Sequence, residues 1–272
     1  MSKKTTHNSN PHGRHKKKRT RNNKSRAKGQ LFYGLHACIE ALKNPDRTIH
    51  KIYVTDKIWN GDKRAQTQGI SVDLDITALP APEIVDKAFF DTLFNNHTVH
   101  QGIAIDTAPL DEVFLSDLII KSKTQGTATL VMLDHVTDPH NIGAILRSAA
   151  AFGAIGLIGQ TRHMPDVTPT TAKIACGGVE HVPIAREKNL SEALEKLKAE
   201  GFTCIGLSEH TDKTLADLPK SDKTVIVLGA EGKGMRPKVA ETCSVLAKLP
   251  TQPPIASLNV SNAAAVALYA LR

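Results

Sequence analysis

Three stretches of the 272-residue chain carry side chains whose type and spacing suit chemistry. The first is DHVTDPHNIGAILRSAAAFGA, residues 134–154, where Arg147 stands in a run of Ile, Leu, Ala and Phe. A helix this apolar is normally buried, and a buried guanidinium is costly unless an anion pairs with it. Pro139 and Asn141 suit the opening turn of such a helix. Ile142, Ile145, Leu146 and Ala149 form its buried stripe. Arg147 points elsewhere, to a side shared with Ala144 and Ala151, where small residues leave room for a ligand. It has two readings: a cation held for an anionic ligand, or a surface arginine that snorkels to water or pairs with a structural acid.

The second stretch is VIVLGAEGKGM, residues 225–235. A buried strand ends at Gly229, and a turn with Glu231, Gly232 and Gly234 follows. Glycines let a backbone approach a ligand closely, but they equally make a tight structural turn. The pattern is neither a phosphate P-loop nor a dinucleotide fingerprint, since it lacks the Ser/Thr and the spacing of both. Glu231 just beyond a central strand lies where open α/β sheets bind ligands. The third stretch, LPTQPPIASLNVSNAAAVALYALR, sets Ser257, Asn259, Ser261 and Asn262 around the start of an apolar helix. One of the four suffices as a cap, so others are free to bond a ligand. His135 and His140 bracket VTDP, but no third residue has metal-ligand spacing, and no metal is expected.

These residues need elements to hold them. From residue 126 onward, apolar strands (TATLVML, AIGLIG, VEHVPIA, FTCIGLS, KTVIVLG) alternate with helices over 141–153, TPTTAKIACGG, LSEALEKLKAEG and SNAAAVALYALR. Continuous apolar strands between helices predict a parallel sheet covered on both faces, with functional residues at the strands' carboxyl ends. Residues 30–107 read as a smaller α/β domain. It has helical spacing of Leu35, Ile39 and Leu42 up to Pro45, a strand IHKIYV, a helix over 56–69, a strand ISVDLDI, a helix PEIVDKAFFDTLF and a strand QGIAID. Residues 108–125 form a linker with one helical stretch.

Composition narrows the class. Net charge is +8, but eleven of the 35 Lys and Arg fall in the first 30 residues, which hold no acid. Residues 1–29 are thus a basic arm without apolar residues to bury, expected to be disordered. It suits loose phosphate contact with nucleic acid, or serves as a solubilising tail or address signal. No apolar run reaches a membrane span, and the N-terminus has no secretory h-region. The four Cys are scattered, as expected of reduced thiols in the cytoplasm.

The three stretches, in this order, resemble the signature motifs of the SpoU branch of the SPOUT RNA methyltransferases. Asp138 through Arg147 resembles D-P-x-N-I/L-G-x-x-x-R, Gly229 to Met235 resembles G-A/S-E-x-x-G-M, and Ser257 to Ser261 is S-L-N-V-S. YGLHACIEAL and TVHQGIAI resemble the two ends of the extra N-terminal domain in the subset acting on large-subunit rRNA. The resemblance covers residues 31–272 and leaves the arm unexplained. It implies a C-terminal trefoil-knotted parallel-sheet domain, a homodimer whose interface completes the active site, and methyl transfer from S-adenosyl-L-methionine to a ribose 2′-hydroxyl, most simply a guanosine of 23S rRNA. Residue by residue, it implies cofactor contacts at Leu207, Gly229, Leu249 and Leu258. Catalytic or substrate-side roles fall to Asn141, Arg147, Glu231, Ser257 and Asn259, with Glu231 and Asn141 orienting Arg147. Pro253-Pro254 departs from the family, which often has Gly in that loop. The rival readings are a tRNA ribose methyltransferase and a non-catalytic RNA-binding assembly factor of the same fold.

Overall fold

The computed structural model describes residues 29–62, 67–95, 97–254 and 257–272. Nearly all of the basic arm, residues 1–28, lies outside the described residues.

The N-terminal part runs β1 (Gln30–Tyr33), α1 (Leu35–Lys43), β2 (Ile49–Val54), α2 (Asp56–Asn60), β3 (Gly61–Asp62), β4 (Thr67–Gln68), β5 (Glu83–Ile84), α3 (Lys87–Leu93) and β6 (Ile103–Thr107). Its four-stranded sheet has the order β1-β6-β2-β5, with β6 antiparallel to both neighbours. Helix α1 buries Ala37, Cys38, Ala41 and Leu42, a stripe at helical spacing. The stripe is rotated from the expected one toward small residues, which bring the helix close to the sheet. Strand β1 precedes α1 where a helix alone was expected, and Gly34, at φ 94°, makes the corner between them.

Three further expectations change here. The helix expected over 82–94 starts only at Lys87, capped by Asp86, and Glu83–Ile84 is instead strand β5. The helix over 56–69 stops at Asn60. Gly61 and Gly69 then let two backbone runs meet as β3 and β4, since a Cβ on Gly69 would lie 2.1 Å from the Trp59 carbonyl oxygen. ISVDLDI is no strand but a 3₁₀ turn over Ile70–Asp73, and the Ser71 hydroxyl donates to that same Trp59 carbonyl at 2.8 Å.

The remainder runs α4 (Leu115–Lys123), β7 (Ala128–Asp134), α5 (Pro139–Ala151), β8 (Gly156–Gln160), α6 (Pro169–Ala175), α7 (Gly178–His181), β9 (Ile184–Glu187), α8 (Leu190–Ala199), β10 (Thr203–Leu207), β11 (Lys223–Gly229), α9 (Pro237–Thr242), β12 (Val245–Ala247) and α10 (Val260–Ala270). Six strands form one sheet in the order β12-β10-β11-β7-β8-β9, every pair parallel. Side chains alternate across it. Val131 and Leu133 of β7 and Ile226 and Leu228 of β11 enter one cluster, with α5 and α10. Leu130, Met132, Val225 and Val227 enter the other, with α4 and α8. Both faces are therefore dry, and the central strands read as unbroken apolar runs. VEHVPIA starts as α7 rather than as a strand, because Pro183 has no N–H for a ladder and β9 begins only at Ile184.

The two sheets are joined by a buried ion pair. Arg47 Nη2 lies 2.6 Å from Glu180 Oε1, with both side chains 2% exposed. Arg47 Nε and Asn44 Nδ2 both donate to Glu180 Oε2, Arg47 Nη1 donates to the Ala108 carbonyl, and the guanidinium covers the Phe32 ring at 5.1 Å. Three donors thus engage both carboxylate oxygens, and such added hydrogen bonding is what lets a buried pair be tolerated. Helix α1 is thereby held against α6 and α7.

Candidate active site at the carboxyl ends of the strands

The ends of β10, β11 and β12 and the start of α10 enclose a cavity of ≈ 360 Å³. Leu207, Gly229, Glu231, Leu249, Ser257, Leu258 and Asn259 all line it, so seven of the nine residues singled out in the sequence meet in one place. Gly229 is obligatory for local reasons. A Cβ there would lie 2.2 Å from Gly234 C and Met235 N, inside the turn that the next residues make. That turn is closed by Ala230 N–H donating to the Gly234 carbonyl at 3.1 Å and Gly234 N–H donating back at 2.8 Å, with Gly232 and Gly234 at positive φ. Glu231 sits exposed on the turn, facing the cavity.

Asn259 is the N-cap of α10: its Oδ1 accepts from Ser261 N–H at 2.9 Å and from the Ser261 hydroxyl at 2.6 Å. Its Nδ2 donates to Asn141 Oδ1 at 3.0 Å, which ties the first stretch to the third. Asn141 itself lies in the first turn of α5, which Asp138 caps by accepting from His140 N–H, with Pro139 at the first helical position.

Arg147 is elsewhere. It is exposed rather than buried, and it makes no hydrogen bond or ion pair among the described residues. Six residues of helix separate it from Asn141, a rotation of about 240°, so the two leave α5 on different sides. Asn141 meets α10, whereas Arg147 lies in a cleft of ≈ 390 Å³ with His36 and Glu40 of α1 and His181 of α7. The expected orientation of Arg147 by Glu231 and Asn141 is therefore not made within this chain. The stripe Ile142, Ile145, Leu146 and Ala149 is fully buried.

Sequence reasoning missed Asp134 and Arg236. Asp134, 0% exposed, ends β7 beside Gly229 and accepts from Arg236 N–H and Nε–H, both at 2.8 Å. It pins the chain that leaves the glycine turn. A carboxylate ending the otherwise apolar run TLVMLD was the available signal. His135 was weighed only as a metal ligand. It has φ 60°, its ring lies 4.1 Å from that of His163, and its buried Nε2 has no partner among the described residues. Among the described residues no three His, Cys, Asp or Glu side chains gather as a metal-ion cluster.

Residues 128–269 match the SpoU rRNA Methylase family, and residues 31–113 match the family described as RNA 2′-O ribose methyltransferase substrate binding. The chain belongs to the SpoU rRNA methylase family. Its relatives include the 23S rRNA (guanosine-2′-O-)-methyltransferase RlmB of Pseudomonas aeruginosa, 41% identical over 88% of this chain and 94% of the relative. An uncharacterized tRNA/rRNA methyltransferase of Synechocystis is 38% identical over 88% of this chain, which spans 61% of that longer relative. Among solved structures, the SpoU methyltransferase AviRb of Streptomyces viridochromogenes, in complex with the cofactor AdoMet, superposes with a TM-score of 0.70 at 21% identity, over 92% of each chain. At that identity the likeness concerns the fold.

Proposed function

We propose that this SpoU-family chain is an S-adenosylmethionine-dependent RNA ribose 2′-O-methyltransferase acting on a guanosine of 23S rRNA. The observation that carries the proposal is the convergence of the glycine turn, the Ser257–Asn259 segment and Leu207 on one cavity. The cavity fits the methyl donor. Its size is that of a small-molecule site, and aliphatic walls from Leu207, Leu228 and Leu249 suit the faces of a purine ring. Ser208, Glu209 and Lys248 offer partners of both charges for a zwitterionic amino-acid end. When bound, S-adenosylmethionine supplies a methyl group activated by its cationic sulfur.

The chain's own residues do the rest. Leu207, Gly229, Leu249 and Leu258 hold the donor. Asn141, kept in place by Asn259, and Ser257 line up the ribose, and Glu231 faces the same cavity from the glycine turn. A ribose hydroxyl is a poor nucleophile while protonated, so its proton must pass to a phosphate oxygen of the RNA or to water while the developing charge is stabilised. Arg147 is suited to that as a permanent cation that grips a flanking phosphate and offsets the developing alkoxide, not as a base. Since Arg147 is remote from the cavity of its own chain, a homodimer that brings it to the partner's cavity belongs to the same proposal, as does the trefoil-knotted path of the C-terminal segment. The division into residues 30–107, 108–125 and 126–272, the phosphate-contacting arm 1–29 and a cytoplasmic location complete it. No helix among the described residues is long and apolar enough to cross a membrane.

The test is transfer of label from S-adenosylmethionine to separated rRNA and tRNA from cells lacking the protein. Label is expected in large-subunit rRNA, and Arg147→Ala should abolish it while leaving donor affinity intact. Label in tRNA alone would overturn the substrate assignment. Lost donor binding in folded Arg147→Ala would overturn the role of Arg147.

A further inference from the structure

We propose that the cleft between α1 of the small domain and α5, α6 and α7 grips the phosphate backbone of the RNA strand, with His36 acting beside Arg147 as a second phosphate ligand. The proposal rests on the RNA methyltransferase reading and adds the route by which the small domain reaches the reacting strand. The cleft holds ≈ 390 Å³. Its floor is small: Ala150, Ala151, Ala175 and Gly178 leave the space open between the two walls.

Its charges are unevenly spent. Glu40, the carboxylate of the cleft, is already engaged, with His181 Nε2 2.8 Å from its Oε2 and Lys43 Nζ 3.8 Å from its Oε1. Gly177, at φ 92°, allows this carboxylate to lie flat against the α6–α7 turn, since a Cβ there would fall 2.4 Å from Glu40 Cγ. Arg147 and His36 are left: both are exposed, and neither has a hydrogen bond or ion pair among the described residues. An unspent guanidinium and an unspent imidazole that line one open cleft are a donor set for phosphate oxygens.

The two walls belong to different domains, yet their spacing is fixed. The Arg47–Glu180 pair and the Asn44 amide clamp α1 to α7 one helix length from His36. A rigid cleft suits a positioning task, because phosphate contacts set the register of a strand while other groups choose the nucleotide. His36 therefore converts general RNA affinity of the small domain into placement of the one phosphate that Arg147 handles.

The experiment compares full-length wild type, His36→Ala, His36→Lys and Arg147→Ala on rRNA, with folding checked by circular dichroism. His36→Ala should raise KM for RNA about tenfold, the cost of one charge-assisted hydrogen bond, with kcat within about twofold and donor affinity unchanged. His36→Lys, which puts an N–H donor back at this position, should recover most of the loss. Saturating RNA should also protect Cys176, which lines the cleft, from alkylation read by peptide mass spectrometry, and inorganic phosphate at millimolar concentration should not. Unchanged KM in His36→Ala, or equal alkylation of Cys176 with and without bound RNA, would overturn the proposal. Protection by phosphate alone would replace it with a free-anion site. RNA affinity and Cys176 protection need no turnover, so a wild type that binds RNA but methylates none would sink the proposed function and leave this inference to be judged by binding.

Discussion

At the scale of single residues, chemistry and backbone geometry make the same demands on the glycine turn. Gly229 has no room for a methyl group, because the atoms in the way are main chain and cannot rotate aside. Gly229→Ala should cost about 1–3 kcal/mol of stability through overpacking and should abolish S-adenosylmethionine binding, read by urea denaturation and calorimetric titration; an unchanged donor Kd would separate the turn from the cavity. The thiols give a second expectation. Burial pushes Cys204 up to about 12 and Cys243 up to about 11 from an ordinary 9.0. Above pH 9 the unfolded chain gives up these protons and the folded chain keeps them, so the stability from the protonated thiols is complete below pH 9 and drains away as pH rises toward about 11 for Cys243 and about 12 for Cys204. Guanidinium denaturation at pH 8 and pH 10 should show a drop that shrinks in Cys204→Ala/Cys243→Ala relative to its own pH 8 value. Residue types in a row pointed to Gly229 with Glu231 and to Ser257 with Asn259, two short runs that meet at the cavity, whereas Leu207, Leu249 and Leu258 came only from the family resemblance. Asp134 left only a carboxylate at the end of an apolar run, and its pairing with Arg236 stayed hidden, because partners 102 residues apart leave no local pattern.

At the scale of elements, what was legible depended on whether periodicity or tertiary contact set the structure. The strands of the large sheet are apolar throughout because both faces are covered, and TATLVML, AIGLIG and KTVIVLG announce themselves. Strand β12 has three residues and α9 six, too few for a period to appear, and both escaped notice. The stretch 56–76 misled because its turns depend on two glycines facing each other across a gap. The clamp between the domains is likewise invisible in sequence, and it carries a testable asymmetry. Glu180→Ala leaves Arg47 buried without its counter-charge and should cost about 3–5 kcal/mol in chemical denaturation, whereas Arg47→Met/Glu180→Leu, which removes both charges, should cost far less. Equal losses would mean that the attraction of the pair, rather than the penalty for an orphaned charge, dominates at this site.

At the scale of the whole molecule, the open question is how an arginine and a cavity on different sides of α5 serve one reaction. Helix α10 packs on α5 and leaves Val266 45% and Tyr269 69% exposed, an apolar face that water disfavours. A two-fold dimer through α5 and α10 would cover that face and set each Arg147 beside the partner's cavity. Tyr269→Asp/Val266→Asp should then give a folded monomer by light scattering, with donor bound and transfer lost. Mixed dimers make the sharper test. If each site joins Arg147 of one protomer to the cavity of the other, a dimer of one Arg147→Ala chain and one Gly229→Ala chain keeps one intact site, because the unmutated arginine of the second chain faces the unmutated cavity of the first. If each protomer works alone, every site in that dimer lacks one part. Random exchange of the two inactive variants should therefore recover about a quarter of wild-type transfer under the shared arrangement and none under the other. The recovery needs Gly229→Ala to stay folded enough to dimerise, which the light-scattering profile of the mixture reports directly.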